Sequence, residues 1–208
     1  MTSASFIELS EPGTRLLPLH VDQYHDMIDK GILEEGTPCE LLDGVLVPKD
    51  RSGCGEDPMT ISYDHALTVK KLAKLSRQFE RLGCHVQTQQ PVTLPPHDEP
   101  EPDAAVIVGA LEDYHGRHPS PKDVLCVVEV SDASLHDDRT RKLRIYADAG
   151  IPQYVIVNLP DRVVEVYTQP LVGKGRYGQS VTLGPSQTVA LRAARGRELR
   201  IAVRRLLP

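Results

Sequence analysis

The spacing of apolar residues changes along this chain, and each change predicts a different element. Leu67, Leu72, Leu75, Phe79 and Leu82 recur at helical spacing, which predicts a helix over 61–83 that can stop at Gly83. Residues 19–31 (LHVDQYHDMIDKG) predict a shorter helix, with Val21, Tyr24, Met27 and Ile28 on one face and Gly31 at its end. ELLDGVLV (40–47) predicts two strand pieces around Asp43-Gly44, a tight-turn pair. HVQTQQPVTL (85–94) predicts a strand that Pro91 puts at an edge or a bend. DAAVIVG (103–109) and DVLCVVEV (123–130) are short apolar runs bounded by turn residues, which predicts buried strands. Residues 131–150 open with capping residues, close at Gly150 and carry Leu135, Leu143, Tyr146 and Ala149 on one side, predicting a helix of about four turns. IPQYVIVN (151–158) predicts a buried strand paired through a Leu-Pro-Asp turn with the alternating RVVEVYTQ (162–169). RYGQSVTLG (176–184) and QTVALR (187–192) continue as strands, and the last piece, RELRIAVRRLLP, fits a strand or a helix. Residues 1–18 show no period and form an expected arm ahead of one domain, 19–208; 48–60 and 95–102 are expected loops. A β-heavy order with two principal helices predicts an α+β (mixed α/β) fold around one central sheet.

Composition narrows the partners. The 24 Lys and Arg against 29 Asp and Glu leave a net charge of −5, and the pI is near 5.9. That argues against nucleic-acid binding over the whole surface, though not against a local basic groove. Residues 191–208 hold six arginines against Glu198, and 70–81 hold Lys70, Lys71, Lys74, Arg77 and Arg81 against Glu80. Such runs occur both as solvated faces and as contact surfaces. No apolar stretch approaches the roughly 18 residues of a membrane span, and residues 1–20 lack a basic start followed by an apolar run, so a cytoplasmic protein is expected. The four cysteines form no CxxC, so reduced thiols are expected and a zinc ribbon is not. His97, His115, His118 and His136 lack zinc-site spacing, and no G-x-S-x-G, P-loop or G-x-G-x-x-G occurs.

The chemistry lies in acids placed among buried strands. Asp103 opens one apolar strand and Glu129 sits near the end of the next. If those strands pair antiparallel, both carboxylates meet at one edge of the sheet. A charge inside VVEV is costly to bury unless paired or bound to a cation. Mg²⁺ takes one or two carboxylates plus water and phosphate oxygens, and a metal so held can activate water for phosphodiester cleavage. Lys142, on the helix that leaves the same strand end, can orient that water or neutralise transition-state charge. Glu40, on the first strand, is a fourth candidate. On spacing alone Lys142 also reads as a surface partner of Asp138 at i, i+4, Asp103 as a turn residue after Pro102, and Glu129 as a partner of a buried arginine.

The stretches YHDMID (24–29), CELLDGVLV (39–47), ISYDHALTVKKL (61–72), EPDAAVIV (101–108), VVEVSDASLHDDRTRKLRIYADAGIPQYVIVNL (127–159) and VVEVYTQP (163–170) resemble the Uma2 family of the PD-(D/E)xK nuclease superfamily. The resemblance covers about residues 20–170. It implies a restriction-endonuclease-like core, a central mixed sheet flanked by helices, with a Mg²⁺-dependent site at which Mn²⁺ can substitute. Pro102-Asp103 is similar to the superfamily's PD, Glu129 to its second metal-binding acid and Glu40 to the family's early glutamate. The E-x-K place after Glu129 holds Ser131; the family takes its lysine from the following helix, where Lys142 matches. His65 matches a position often filled by histidine, and a packing role suits it equally.

The expected function is therefore a Mg²⁺-dependent DNA endonuclease, with the basic stretches 70–81 and 139–144 against the phosphate backbone and, by analogy with the superfamily, a homodimer. The alternative is a catalytically degenerate nucleic-acid-binding or interaction module on the same fold.

Overall fold

Strand alternation and the helical repeat set the elements of the computed structural model, which describes residues 7–8, 15–34, 36–49 and 62–208. The described residues divide into two compact units.

The smaller unit comprises the described residues up to 49 together with Thr93–Pro100. Strands β1 (Ile7–Glu8) and β2 (Arg15–Leu16) pair antiparallel within the segment expected to be an arm. Helix α1 (Val21–Asp29) buries Val21 and Tyr24 beside Cys39 and Leu41. Strands β3 (Cys39–Leu42) and β4 (Val45–Pro48) form the hairpin that Asp43-Gly44 predicted. Both turn residues take positive φ, 57° and 73°, the backbone that suits the twist of two paired strands. The segment expected as an acidic loop is held against this hairpin: Glu99 N donates to the Leu41 carbonyl at 2.7 Å and Gly44 N to that of His97 at 2.8 Å. Buried Glu99 is met by His25 Nε2 at 2.9 Å and by the Thr93 hydroxyl at 2.7 Å. Glu40 stands on β3, buried, opposite Val47.

The larger unit holds the described remainder. The expected helix 61–83 is two helices, α2 (Tyr63–Ala73), capped by the Ser62 hydroxyl, and α3 (Ser76–Glu80). Residue 61 and most of the expected loop 48–60 lie outside the described residues. Strand β5 (Cys84–Gln87) stops well short of residue 94, because Gln89 takes φ 52° and Pro91 has no N–H to give a ladder. Then follow β6 (Ala104–Val108), β7 (Val124–Ser131), a helical run, β8 (Gln153–Asn158), β9 (Val163–Leu171) and β10 (Arg176–Leu183). The run itself is not one α-helix: α4 (Leu135–Asp137) and α5 (Leu143–Asp148) flank a π turn, Asp138–Lys142. The C-terminal piece is a hairpin, β11 (Thr188–Arg192) with β12 (Glu198–Ala202), joined through a 3-10 turn, Ala194–Gly196, and followed by another, Val203–Arg205.

The six-stranded sheet runs β10-β9-β8-β7-β6-β5. Every neighbouring pair is antiparallel except β7 and β8, which are parallel and therefore need the helical crossover between them. This is the α+β architecture with a central mixed sheet flanked by helices. Side chains alternate across it. Val128, Val130, Val155, Val157, Val164 and Val166 enter one continuous core with Leu72 and Phe79 of the helices and Val189 and Ile201 of the C-terminal hairpin. The intervening positions, Glu129, Ile156 and Glu165, share one row on the opposite face.

A Cβ added to Gly44 would overlap the Cβ of Pro18 and lie 2.7 Å from its Cα, at a φ that L side chains rarely adopt. Gly44→Ala should therefore destabilise the protein by more than about 1 kcal/mol. Urea unfolding checks this, and an unchanged midpoint would contradict the turn geometry.

Candidate active site

The antiparallel pairing of β6 with β7 sets Ala104 opposite Val128, so continuing the register by one places Asp103 opposite Glu129. The two acids are linked through the backbone. Asp103 N donates to Glu129 Oε2 at 3.2 Å, and Val130 N donates to Asp103 Oδ2 at 2.8 Å. From the helical run, Lys142 Nζ reaches Glu129 Oε1 at 3.0 Å and the Tyr146 hydroxyl donates to the same oxygen at 2.9 Å. Glu129 is 3% exposed. A buried carboxylate is tolerated where donors satisfy it, and here an ammonium, a phenol and an amide converge on it.

His65, on the first turn of α2, sets Nε2 3.0 Å from Asp103 Oδ2. The acceptor-only carboxylate fixes the Nε2–H tautomer of the neutral ring. Its Nδ1 is buried and has no partner among the described residues. Asp103 Oδ1 likewise has no hydrogen-bond partner there, so Oδ2 carries the structural contacts and Oδ1 is open. The structure thus brings together Asp103, Glu129, Lys142 and His65; Glu40 belongs to the smaller unit.

Donor chemistry decides which metal suits the pair. Among the described residues no three His, Cys, Asp or Glu side chains form a closed metal-binding group. Two neighbouring carboxylates with one open oxygen suit Mg²⁺, which keeps several waters and needs only one or two carboxylates from a protein.

Three neighbouring features differ from the sequence reading. Asp138 is not a surface partner of Lys142: it is 3% exposed and accepts from the Ser131 and Ser134 hydroxyls, each at 2.7 Å. Burial pushes its carboxyl above the usual range, with Lys142 and the two serines opposing and Asp103 reinforcing the rise. Tyr146 is not simply apolar lining, since its hydroxyl reaches Glu129. The spacing of Tyr146 four residues after Lys142 carried that signal. Finally, the basic stretch 139–144 is largely neutralised. Arg139 binds Glu165 at 2.6 and 3.1 Å, Arg141 lies 3.4 Å from Asp137, and Lys142 is taken by Glu129. Burial alone would push Glu165 up, but bonds from Arg139, Asn158 and Tyr167 hold it below the ordinary carboxylate value.

The family model described as "Putative restriction endonuclease", Uma2, matches residues 21–204. The chain belongs to the Uma2 family. In fold, this Uma2 chain is similar to a crystal structure from Anabaena variabilis ATCC 29413 described as "a putative nuclease belonging to DUF820". The TM-score is 0.62 at 14% identity, over 91% of this chain and 97% of that one. No curated protein matches this Uma2 chain significantly. Among its described residues no helix is long and apolar enough to cross a membrane.

Asp138 gives a pH signature. Its folded pKa is raised, so between the unfolded value of about 3.9 and the folded one the native chain keeps a proton that the unfolded chain has lost. This contribution to stability is full below about pH 4 and is lost as pH rises through the folded value. The urea midpoint of the parent, taken relative to that of Asp138→Asn, should decline from about pH 3.5 to about pH 7; parallel profiles would contradict the assignment.

Proposed function

We propose that this Uma2 protein is a Mg²⁺-dependent endonuclease acting on DNA. The observation that supports it most is the convergence of Asp103, Glu129 and Lys142, from two antiparallel strands and the crossover helix, with Lys142 Nζ 3.0 Å from Glu129 Oε1. Asp103 and Glu129 would hold the cation. When bound, Mg²⁺ would supply Lewis acidity at a phosphodiester oxygen and lower the pKa of a coordinated water.

The protein's own groups do the rest. Asp103 Oδ2 is fixed by Val130 N and His65, which leaves Oδ1 aimed by the same contacts. Glu129 is held at both oxygens, so its carboxylate cannot rotate away. Lys142 keeps a positive charge beside the acids, where it can orient an attacking water and offset the negative charge that develops on the phosphate. Tyr146 keeps Glu129 satisfied when the ammonium turns toward substrate. The family pattern adds Glu40 as a supporting acid. A cut in both strands of a duplex calls for two such sites, which a two-fold dimer supplies. Cys39, Cys84 and Cys126 are free and buried, which fits a reducing compartment, and we place the enzyme in the cytoplasm.

The deciding experiment is a time course with plasmid and single-stranded DNA in Mg²⁺ or Mn²⁺. The parent should cleave. Asp103→Asn and Lys142→Ala should each lose at least about 100-fold in rate, Asp103→Asn with the fold intact by circular dichroism. Equal cleavage by Asp103→Asn would overturn the site. No cleavage by a folded parent would favour the reading as a degenerate binding module, since Ser131 occupies the superfamily's usual lysine place. Glu40→Gln should raise the Mg²⁺ concentration needed for half-maximal cleavage, and an unchanged requirement would remove Glu40 from the set.

A further inference from the structure

The chain is acidic, yet its cations are segregated. The segments 70–81 and 191–208 together hold eleven of the 24 Lys and Arg and two of the 29 Asp and Glu. They are more than a hundred residues apart in sequence and adjacent in the fold. Lys71 Nζ donates to the Leu207 carbonyl. Arg197 donates to the carbonyls of Arg81, at 3.4 Å, and Leu82, at 2.6 Å. Between the segments lies a cavity of about 140 Å³ lined by Lys71, Lys74 and Arg205 over a floor of Leu75, Ile201 and Leu206, with Gln78 completing it. No carboxylate lines it. Lys74 and Arg205 are exposed, and neither has an ion-pair partner among the described residues.

Helix-terminus electrostatics account for part of this. Cations at the end of α2 oppose the negative end of its dipole, and Lys71 is occupied by the Leu207 carbonyl. Neither reason covers Arg205, which comes from another part of the chain to face Lys74 across the cavity. Unpaired cations held close together repel one another, an arrangement that an anion relieves.

We propose that this groove is a second contact for a nucleic-acid backbone, binding a phosphodiester between Lys74 and Arg205 while the sugar rests on the apolar floor. The proposal rests on the nuclease reading for the identity of the polyanion. It also assigns the backbone-contact role expected of two basic stretches to one of them, joined by the C-terminal segment, because Arg139, Arg141 and Lys142 of the other face carboxylates. Lys71 and Lys74 stand six and nine residues beyond His65, near and just past the end of the helix whose first turn meets Asp103. That is roughly 9 and 13 Å along the axis, or about three and four nucleotide steps of a duplex strand.

The test is binding without cleavage. Fluorescence anisotropy of a labelled duplex, in the Asp103→Asn chain, compares that background with the same chain also carrying Lys74→Gln and Arg205→Gln. Losing two phosphate contacts should weaken binding about tenfold or more and lower the slope of log K against log salt by about 2. A control pair, Lys122→Gln with Arg176→Gln, removes two exposed cations elsewhere and should leave the slope unchanged. An unaltered slope in the groove variant, an equal loss in the control, or no binding by the background chain would each overturn the proposal. Unaltered thermal unfolding of the variant excludes misfolding as the cause of a loss, and each single substitution should give about half the change in slope. Cleavage by the parent is scored separately: a duplex that is bound through the groove but never cut sinks the nuclease reading and leaves this one standing.

Discussion

A carboxylate buried in a β-sheet must be answered by donors, and Glu129 imposes that demand on everything near it. It sits near the end of a valine-rich strand whose alternate side chains form the core of the larger unit. Moving it to the other face by a one-residue slip would put its charge among those valines and expel them, so the register of β7 is tied to the position of the acid. Its donors come from three places: the amide of the neighbouring strand's first acid, an ammonium and a phenol. Packing and chemistry are thus set by the same contacts.

The crossover between β7 and β8 meets this demand twice. Glu129 and Glu165 flank Ile156 in one row, and the run above them sends Lys142 to the first and Arg139 to the second. The π turn Asp138–Lys142 spans both cations. Wider turns of this kind often mark functional sites, since they re-aim side chains relative to the rest of the helix. Asp138 anchors the turn to the strand end through Ser131, and its own carbonyl accepts from the buried Tyr154 hydroxyl at 3.0 Å. Ser131 therefore has a structural use: it ties down the turn that carries Lys142.

Much of this was legible in the sequence, for identifiable reasons. The strands rich in valine and isoleucine stood out because both their faces are covered, and the hairpin at Asp43-Gly44 because its turn admits few residue pairs. The proximity of Asp103 and Glu129 followed from one assumption, antiparallel pairing, which the structure bears out. What could not be read was side-chain direction within the helical run. Periodicity treats 131–150 as one helix, whereas a π turn interrupts it at Asp138–Lys142; Asp138 is buried against Ser131 and Ser134 instead of pairing with Lys142 at the surface, while Tyr146 is buried as its apolar side predicts. The division of the helix over 61–83 and the early end of β5 were hidden for a similar reason: backbone angles at Leu75 and Gln89 depend on neighbours that spacing does not record. The pairing of the two basic segments is a tertiary fact, beyond the reach of local pattern.

The contacts that join the site also differ little in what they cost the chain to close. Lys142 to Glu129 closes a loop of 13 residues, Asp103 to Glu129 one of 26, and His65 to Asp103 one of 38. Closure entropy grows only logarithmically, about 0.6 kcal/mol for each doubling. The three closures are thus nearly equal in cost, and none requires the C-terminal hairpin. The strands that carry the acids nonetheless share their core with that hairpin, through Val189 and Ile201. The groove between α2 and the C-terminal turn, whose Lys71 to Leu207 contact spans 136 residues, closes a loop about ten times longer than the first, at a cost about 2 kcal/mol greater.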